Sequence, residues 1–154
     1  MSVSGRTVPI AVSQDVIHQS VRKKEDDSLS PATDEDKSGR AAPVVADYSA
    51  IEPVRCPCGW ARRAFADVPD APASIHRVEI EIDARTHYHR EHTEIYYILE
   101  CNAGAAIELD GERTPVGPGH AVLIPPGVRH RAVGRMSLLN VVVPPFDPAD
   151  EWFD

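Results

Sequence analysis

The sequence has few of the features that mark exported, membrane-spanning or nucleic-acid-binding proteins. Its 154 residues include only three cysteines, an odd number that does not indicate a disulfide framework. No apolar run approaches the roughly 20 residues that a transmembrane helix needs. The N-terminus also lacks the charged start and long apolar stretch of a secretion signal. We therefore expect a soluble cytoplasmic protein with no membrane association.

Basic residues are too sparse for a nucleic-acid surface. The formal net charge is −8, whereas phosphate neutralisation requires clustered Lys and Arg. The only basic cluster, at residues 22–24, is followed directly by acidic residues 25–27, which cancel its charge. We therefore expect a small-molecule substrate or ligand rather than a nucleic acid.

The first 48 residues contain little that a core can bury. Tyr48 is their only aromatic residue, and residues 22–40 are rich in charge, Ser, Pro and Gly. This composition is typical of disordered chain. Residues 1–48 are predicted to form a disordered or loosely ordered tail, and residues 49–154 a single domain with a C-terminal strap, since the length allows one domain.

From residue 74 onward the sequence alternates with a period of two, which is typical of β-strands. The first run places His76, Val78, Ile80 and Ile82 on one face. Further strands are predicted at residues 93–100, 105–110, 121–124, 130–133 and 138–143. Asp110-Gly111 is a strong hairpin signal. Short strands at this spacing, with no helical period, predict an all-β antiparallel closed barrel or double-sheet jelly roll. The Pro-interrupted, aromatic C-terminus predicts a strap on the barrel or on a partner subunit.

Histidines are concentrated between positions 87 and 92. In an extended chain, alternation directs His87 and His89 to the same side. The turn at residues 90–93 reverses the direction of the chain, so that Glu94 can lie opposite His87 and His89. His130 follows a Pro-Gly turn in a later strand and can supply a further donor. Neutral imidazoles and one carboxylate suit a divalent transition metal, namely Fe, Mn, Ni, Zn, Co or Cu.

Two neighbours of this turn compete with Glu94 as ligands. Glu91 and His92 both flank the turn, but Glu94 is preferred because it starts the strand and shares its face with Tyr96. We expect His92 to be exposed at the rim.

The same two segments resemble the paired motifs of the cupin superfamily. The first motif is Gly, five residues, His-x-His, three or four residues, Glu, six residues, Gly. The second is Gly, five residues, Pro-x-Gly, two residues, His, three residues, Asn. Matching positions in this sequence are His87, His89 and Glu94 for the first motif, and Gly119, Pro125, Gly127 and His130 for the second. Glu81, Cys101 and Gly134 depart from the pattern at positions that are not ligands.

The resemblance implies a cupin-type antiparallel jelly-roll β-barrel with one divalent transition metal per chain. The ligands that carry over are His87, His89, Glu94 and His130.

Several other residues are candidates for the site. Tyr96 is the nearest candidate for a proton donor or a substrate hydrogen bond. His76 is either a pocket group or a buried structural histidine. Cys56 and Cys58 are either a metal clip or, preferably, reduced thiols at the domain edge.

The adjacent arginines Arg62 and Arg63 offer a further choice. In one interpretation, one of them faces an anionic substrate while its neighbour points outward. In the other, which is preferred, both form ion pairs with acidic residues at the surface.

A metal held by four protein groups keeps open positions for a substrate. We predict a metal-dependent enzyme that acts on a small oxygen-rich or carboxylate-bearing metabolite, either as a dioxygenase or as a Lewis-acid isomerase or lyase. The alternative is a non-catalytic, metal-dependent binding or sensing barrel. The outward Ile95, Tyr97 and Leu99 also predict a homodimer.

Overall fold

The computed structural model describes residues 42–153. The predicted disordered tail lies outside these residues over positions 1–41. Tyr48, the aromatic residue of that predicted tail, donates a hydrogen bond from its hydroxyl to the carbonyl of Ile75, at 2.9 Å.

Two antiparallel sheets make up the described chain. The strands are β1 Val54–Cys56, β2 Gly59–Ala64, β3 Ser74–Ile80, β4 Thr93–Cys101, β5 Ala106–Leu109, β6 Glu112–Pro115, β7 Ala121–Ile124, β8 His130–Val133 and β9 Met136–Val143, followed by a 3₁₀ turn at Pro148–Asp150. The six-stranded sheet has the order β1-β2-β3-β9-β4-β7, and the three-stranded sheet has the order β6-β5-β8. The all-β antiparallel jelly-roll prediction is confirmed.

Buried and exposed side chains alternate along the strands, as the period of two in the sequence predicts. In β4, Tyr96 and Ile98 are buried, whereas Ile95 and Tyr97 face outward. The largest fully buried apolar side chains include Ile98, Ile107 and Leu138. Because they come from β4, β5 and β9, the core lies between the two sheets, and each such side chain stabilises the fold by about 1.5–3 kcal/mol relative to exposure.

The predicted hairpin joins β5 to β6. Asp110 has φ = 47° and Gly111 has φ = 86°, so both central residues are left-handed, as a two-residue type I′ turn requires. The register pairs Leu109 with Glu112 directly across this turn. The Asp-Gly signal therefore identified the turn.

One strand ends earlier than its pattern indicates. The pairing of β3 with β9 ends where Ile80 meets Met136, and residues 81 and 82 form a bend. Ile82 is 76% exposed, so the prediction that it shares the buried face of His76 is wrong. Alternation specifies a face only while the strand remains paired.

The segment before β3 forms two strands that the pattern did not indicate. The β1–β2 turn pairs Cys56 with Gly59, which brings Cys56 and Cys58 side by side, and a disulfide bond joins them. The preference for two reduced thiols is therefore wrong. Across residues 42–153 there is no helix whose length and hydropathy suit a membrane span.

Candidate metal centre

The four predicted ligands are brought together from both sheets. Glu94 lies on β4 of the six-stranded sheet, and His130 begins β8 of the three-stranded sheet. His87 and His89 precede β4, and His87 pairs with His130 through two backbone hydrogen bonds of 3.1 and 2.8 Å. The centre therefore lies between the sheets, where the chain crosses from β3 to β4.

These four side chains are buried and close together. Their residues are between 1% and 5% exposed, and one potential ligand atom of each lies within 4.8 Å of the others. Glu94 Oε2 lies 2.8 Å from His130 Nε2 and 3.6 Å from His89 Nε2. This group can hold a metal ion.

The backbone fixes the tautomer of the three histidines. Nδ1 of His87, His89 and His130 lies 3.1, 2.7 and 2.9 Å from the carbonyl oxygens of Arg85, Asp150 and Val128, respectively. A carbonyl can only accept, so each Nδ1 carries a proton, and in the neutral ring Nε2 then carries the lone pair. Nε2 of His89 and of His130 is buried without a hydrogen-bond partner among the described residues. Such orphaned lone pairs beside a carboxylate are the donor set that a transition metal requires.

The charges at the centre are strongly coupled. Burial raises the pKa of Glu94, but the contacts with His130 and His89 outweigh it and hold this pKa well below its usual value. Burial and the neighbouring His130 lower the pKa of His87 to about 4. Burial also lowers the pKa of His89, but Glu94 and the Asp150 carbonyl outweigh this and raise it. The environment of His89 thus favours a positive charge at its Nε2, as a metal would provide.

Two buried side chains orient the Glu94 carboxylate. The Tyr96 hydroxyl donates to Oε2 at 3.2 Å, and the Asn140 amide donates to Oε1 at 2.5 Å. Burial and Glu94 raise the pKa of Tyr96 well above its usual value, so this hydroxyl stays protonated. The sequence analysis did not identify Asn140. Its signal was that it is a polar residue at an inward position of the apolar strand β9.

The C-terminal strap lies on its own barrel. Its 3₁₀ turn places the Asp150 carboxylate against the backbone N–H groups of Arg90, Glu91 and His92, at 2.9, 2.9 and 3.0 Å. Burial raises the pKa of Asp150, but these donors outweigh it and lower the pKa to about 2. Asp150 thus fixes the turn between His89 and Glu94, and sequence reasoning missed it.

His92 is buried rather than exposed at the rim, so that prediction is wrong. It is 2% exposed, and its Nδ1 lies 2.8 Å from Asp150 Oδ2. His92 is buried because the C-terminal strap covers the turn. The local sequence pattern around His92 does not predict where the strap lies. Glu91, the other rival ligand, is exposed.

A narrow cavity of about 30 Å³ adjoins the four-ligand group. Its lining includes the predicted candidates His76, Tyr96 and Arg63, together with Asn140, Phe146 and Glu151. His76 Nε2 lies 3.0 Å from Ser74 Oγ, and burial, together with Arg63, lowers the pKa of His76 to about 4. Burial raises the pKa of Glu151.

The two arginines have opposite surroundings. Arg62 faces outward, with a nitrogen 3.8 Å from Glu79 Oε1. Arg63 lines the cavity. Cys56 and Cys58 also line it, whereas Cys101 is a free thiol that does not.

Comparison with known proteins identifies the family. The family model for the Cupin domain matches residues 75–142, a range that contains all four predicted ligands. A crystal structure of a protein from Planctomyces limnophilus is 53% identical to the chain, covers 73% of this chain and 98% of that chain, and superposes with a TM-score of 0.71. The chain belongs to the cupin superfamily.

More distant structures share the fold of this cupin. The nucleoside dehydratase Pac13 from Streptomyces is 19% identical over 73% of this chain and 95% of its own, with a TM-score of 0.61. Ectoine synthase from P. lautus is 21% identical over 70% of this chain and 82% of its own, with a TM-score of 0.60. No curated protein matches the chain in sequence.

Proposed function

We propose that this cupin is a metal-dependent enzyme whose ligands are His87, His89, Glu94 and His130. The observation that carries the proposal is the shared tautomer, because three backbone carbonyls hold the protons on Nδ1 and leave the Nε2 lone pairs beside the Glu94 carboxylate. A structural histidine needs no such arrangement, whereas metal-ligating histidines use it to fix ring orientation. We expect one divalent ion per chain.

The bound ion supplies Lewis acidity at a substrate oxygen or, if it is redox-active, a site for dioxygen. The protein contributes orientation and proton control. Tyr96 and Asn140 hold both oxygens of Glu94. His76 is neutral near pH 7, because its pKa is about 4, and it can accept a proton beside the cavity.

The substrate that suits this centre is a small, oxygen-rich or carboxylate-bearing metabolite. Isomerase or lyase chemistry is favoured over oxygenation, because the cavity wall carries groups that can exchange protons beside the ligands, namely His76, Tyr96 and Glu151. Reactions that move protons need such groups, whereas a dioxygen site does not. A dioxygenase is the second candidate.

Metal analysis of matched histidine variants tests the centre. Protein purified without added metal should carry about one ion per chain. His130→Ala should lose it while its circular dichroism stays β-rich, and His120→Ala, an exposed histidine outside the site, should retain it. Equal metal content in the two variants would contradict the proposal, as would loss of the fold in His130→Ala, which makes the metal structural.

Turnover assays separate the reaction classes. Metal-loaded protein is incubated with small hydroxy acids, keto acids and sugars while oxygen uptake and product formation are followed. Product without oxygen uptake supports isomerase or lyase chemistry, and uptake supports a dioxygenase. Tight retention of a compound without turnover indicates the non-catalytic binding barrel.

We also propose a homodimer in the cytoplasm. The outer face of the six-stranded sheet exposes Ile95, Tyr97 and Leu123, an apolar surface that a second copy can cover. The cytoplasmic location is tested through the Cys56–Cys58 disulfide of the structure. Because a reducing compartment keeps most thiols reduced, three free thiols per chain in freshly extracted protein would support this location. One free thiol, Cys101, beside an intact disulfide would refute it.

A further inference from the structure

The interior of the six-stranded sheet carries one continuous row of polar side chains. Arg63 on β2 is the register partner of His76 on β3, His76 is the partner of Asn140 on β9, and Asn140 is the partner of Tyr96 on β4. Tyr96 and Asn140 contact the ligand Glu94. The row therefore extends from the metal centre to Arg63 at its far end.

Arg63 is an incompletely satisfied cation at the end of this row. Its Nε is buried without a hydrogen-bond partner among the described residues. Its Cζ lies 4.1 Å from the centroid of the Phe146 ring, which occupies the face of the guanidinium but leaves the N–H groups at its edge available. Burial lowers the pKa of Arg63, while Glu151 acts in the opposite direction. A half-buried guanidinium with an unpaired, buried Nε–H group favours an anion at its edge.

The charge of the cavity also favours an anion. Three neutral imidazoles, one carboxylate and a divalent ion leave one net positive charge at the centre. Arg63 adds another and is the only Lys or Arg among the described residues that line the cavity. Glu151 offsets at most one of these charges. A substrate with a single negative charge therefore improves the charge balance of the site.

We infer that Arg63 binds the carboxylate of the substrate, so that the substrate class is a small monocarboxylic acid with a second oxygen directed to the metal. This inference rests on the proposed metal-dependent function. A guanidinium fork binds a carboxylate bidentately. A carboxylate is favoured over a phosphate because it carries a single negative charge, whereas a phosphate ester carries about −1.5 to −2 at pH 7. The asymmetry between the two arginines follows from alternation along β2, which turns Arg62 away from the cavity and towards Glu79.

A pair of nearly isosteric probes tests this assignment. Glycolate and glycolamide both offer a hydroxyl and a carbonyl oxygen to a metal, but only glycolate carries a carboxylate. Their dissociation constants are measured by calorimetry on protein loaded with Zn²⁺, with metal content determined on the same samples. The wild-type protein should bind glycolate more tightly than glycolamide.

Matched variants separate Arg63 from the metal. Arg63→Gln should weaken glycolate binding by about tenfold or more while leaving glycolamide unchanged. Arg62→Gln should change neither. Arg63→Lys should give an intermediate value, because it keeps the charge and loses the fork, and it also serves as the test if Arg63→Gln does not fold.

The outcomes are distinguishable from failure of the metal proposal. Equal glycolate affinity in the Arg63 and Arg62 variants, or no glycolate binding by metal-replete wild-type protein, overturns the Arg63 assignment. Protein that takes up no metal but still shows the Arg63-dependent preference overturns the metal proposal and leaves the carboxylate site standing.

Discussion

Glu94 has the most closely controlled surroundings of any residue in the centre. One of its oxygens accepts from Asn140, and the other accepts from Tyr96 and lies near two histidine nitrogens. A buried carboxylate needs this number of partners, because desolvation of an unpaired charge costs several kcal/mol. Loss of one hydrogen-bond donor to Glu94 should therefore lower the metal affinity more than the stability of the fold.

Tyr96→Phe tests this at the residue scale. Removal of one hydroxyl frees Glu94 to reorient, so Zn²⁺ affinity should fall about tenfold, with a loss of stability of about 1–2 kcal/mol. Competition against a chelator of known affinity measures the first effect, and denaturant unfolding measures the second.

The neighbouring Tyr97→Phe is the control, because Tyr97 faces outward on the same strand. An unchanged Zn²⁺ affinity in Tyr96→Phe together with lost turnover would assign the hydroxyl to the substrate rather than to Glu94.

The hairpin and the strap show how single elements depend on local chemistry. The β5–β6 hairpin depends on two left-handed residues, one of which is Gly111. The strap depends on one carboxylate, Asp150, which accepts from three consecutive backbone N–H groups. The first feature is readable in the sequence, and the second is not.

Gly111→Ala should destabilise the protein by about 1–2 kcal/mol, because a side chain in the left-handed region is strained. A Cβ at this position meets nothing within 4 Å, so the whole cost is backbone conformation. Gly117→Ala is the matched control, since its Cβ also meets open space and its backbone is not left-handed; we expect a change within about 0.5 kcal/mol. Equal losses in guanidinium unfolding would refute this account of the turn.

Asp150→Asn should lower the free energy of unfolding by about 1–3 kcal/mol at neutral pH, because an amide cannot accept all three N–H groups. The pKa of Asp150 is about 2 in the fold against an ordinary value of 3.8, so the ionised form stabilises the native state. This stabilisation is complete above the ordinary value and disappears as the pH falls through about 2.

The measurement for the strap is the stability difference between the two proteins as a function of pH. It should be constant above about pH 5 and shrink from about pH 4 to pH 2. Asp147→Asn, an exposed carboxylate in the same segment, controls for the loss of one charge. A difference that persists undiminished at pH 2 would mean that Asp150 acts through something other than its charge.

At the scale of the whole molecule, the outer face of the larger sheet is an apolar surface that residues 42–153 leave exposed. Leu123, Ile95, Val141 and Ile75 are register partners in a row across β7, β4, β9 and β3. Leu123 is 63% exposed. A contiguous apolar row of this kind is typical of a subunit interface.

Leu123→Lys should convert a dimer into a monomer, because it introduces a charge into the apolar row. Light scattering after size-exclusion chromatography at micromolar concentration measures the mass. Ile82→Lys is the control, since Ile82 is exposed but lies outside the sheet. A monomeric wild-type protein would refute the dimer.

Much of the fold and of the centre was readable from local pattern. Alternation located β4, β7 and β8, and Asp110-Gly111 located a turn. Spacing and motif together predict the ligands His87, His89, Glu94 and His130. The disulfide, the burial of His92 and the early end of β3 were not readable, because each depends on where a distant segment or a neighbouring strand lies.

The sequence by itself determined which residues alternate, where the chain turns and which donor types are available, since these depend on a few adjacent residues. Only the tertiary structure decided what surrounds those donors. Asn140 reaches Glu94 across 46 positions, and Asp150 reaches Arg90 across 60. Both contacts exist because β9 pairs between β3 and β4 and the strap follows it. A strand's period is the same whichever neighbour it pairs with, so the sequence pattern carries no record of that order.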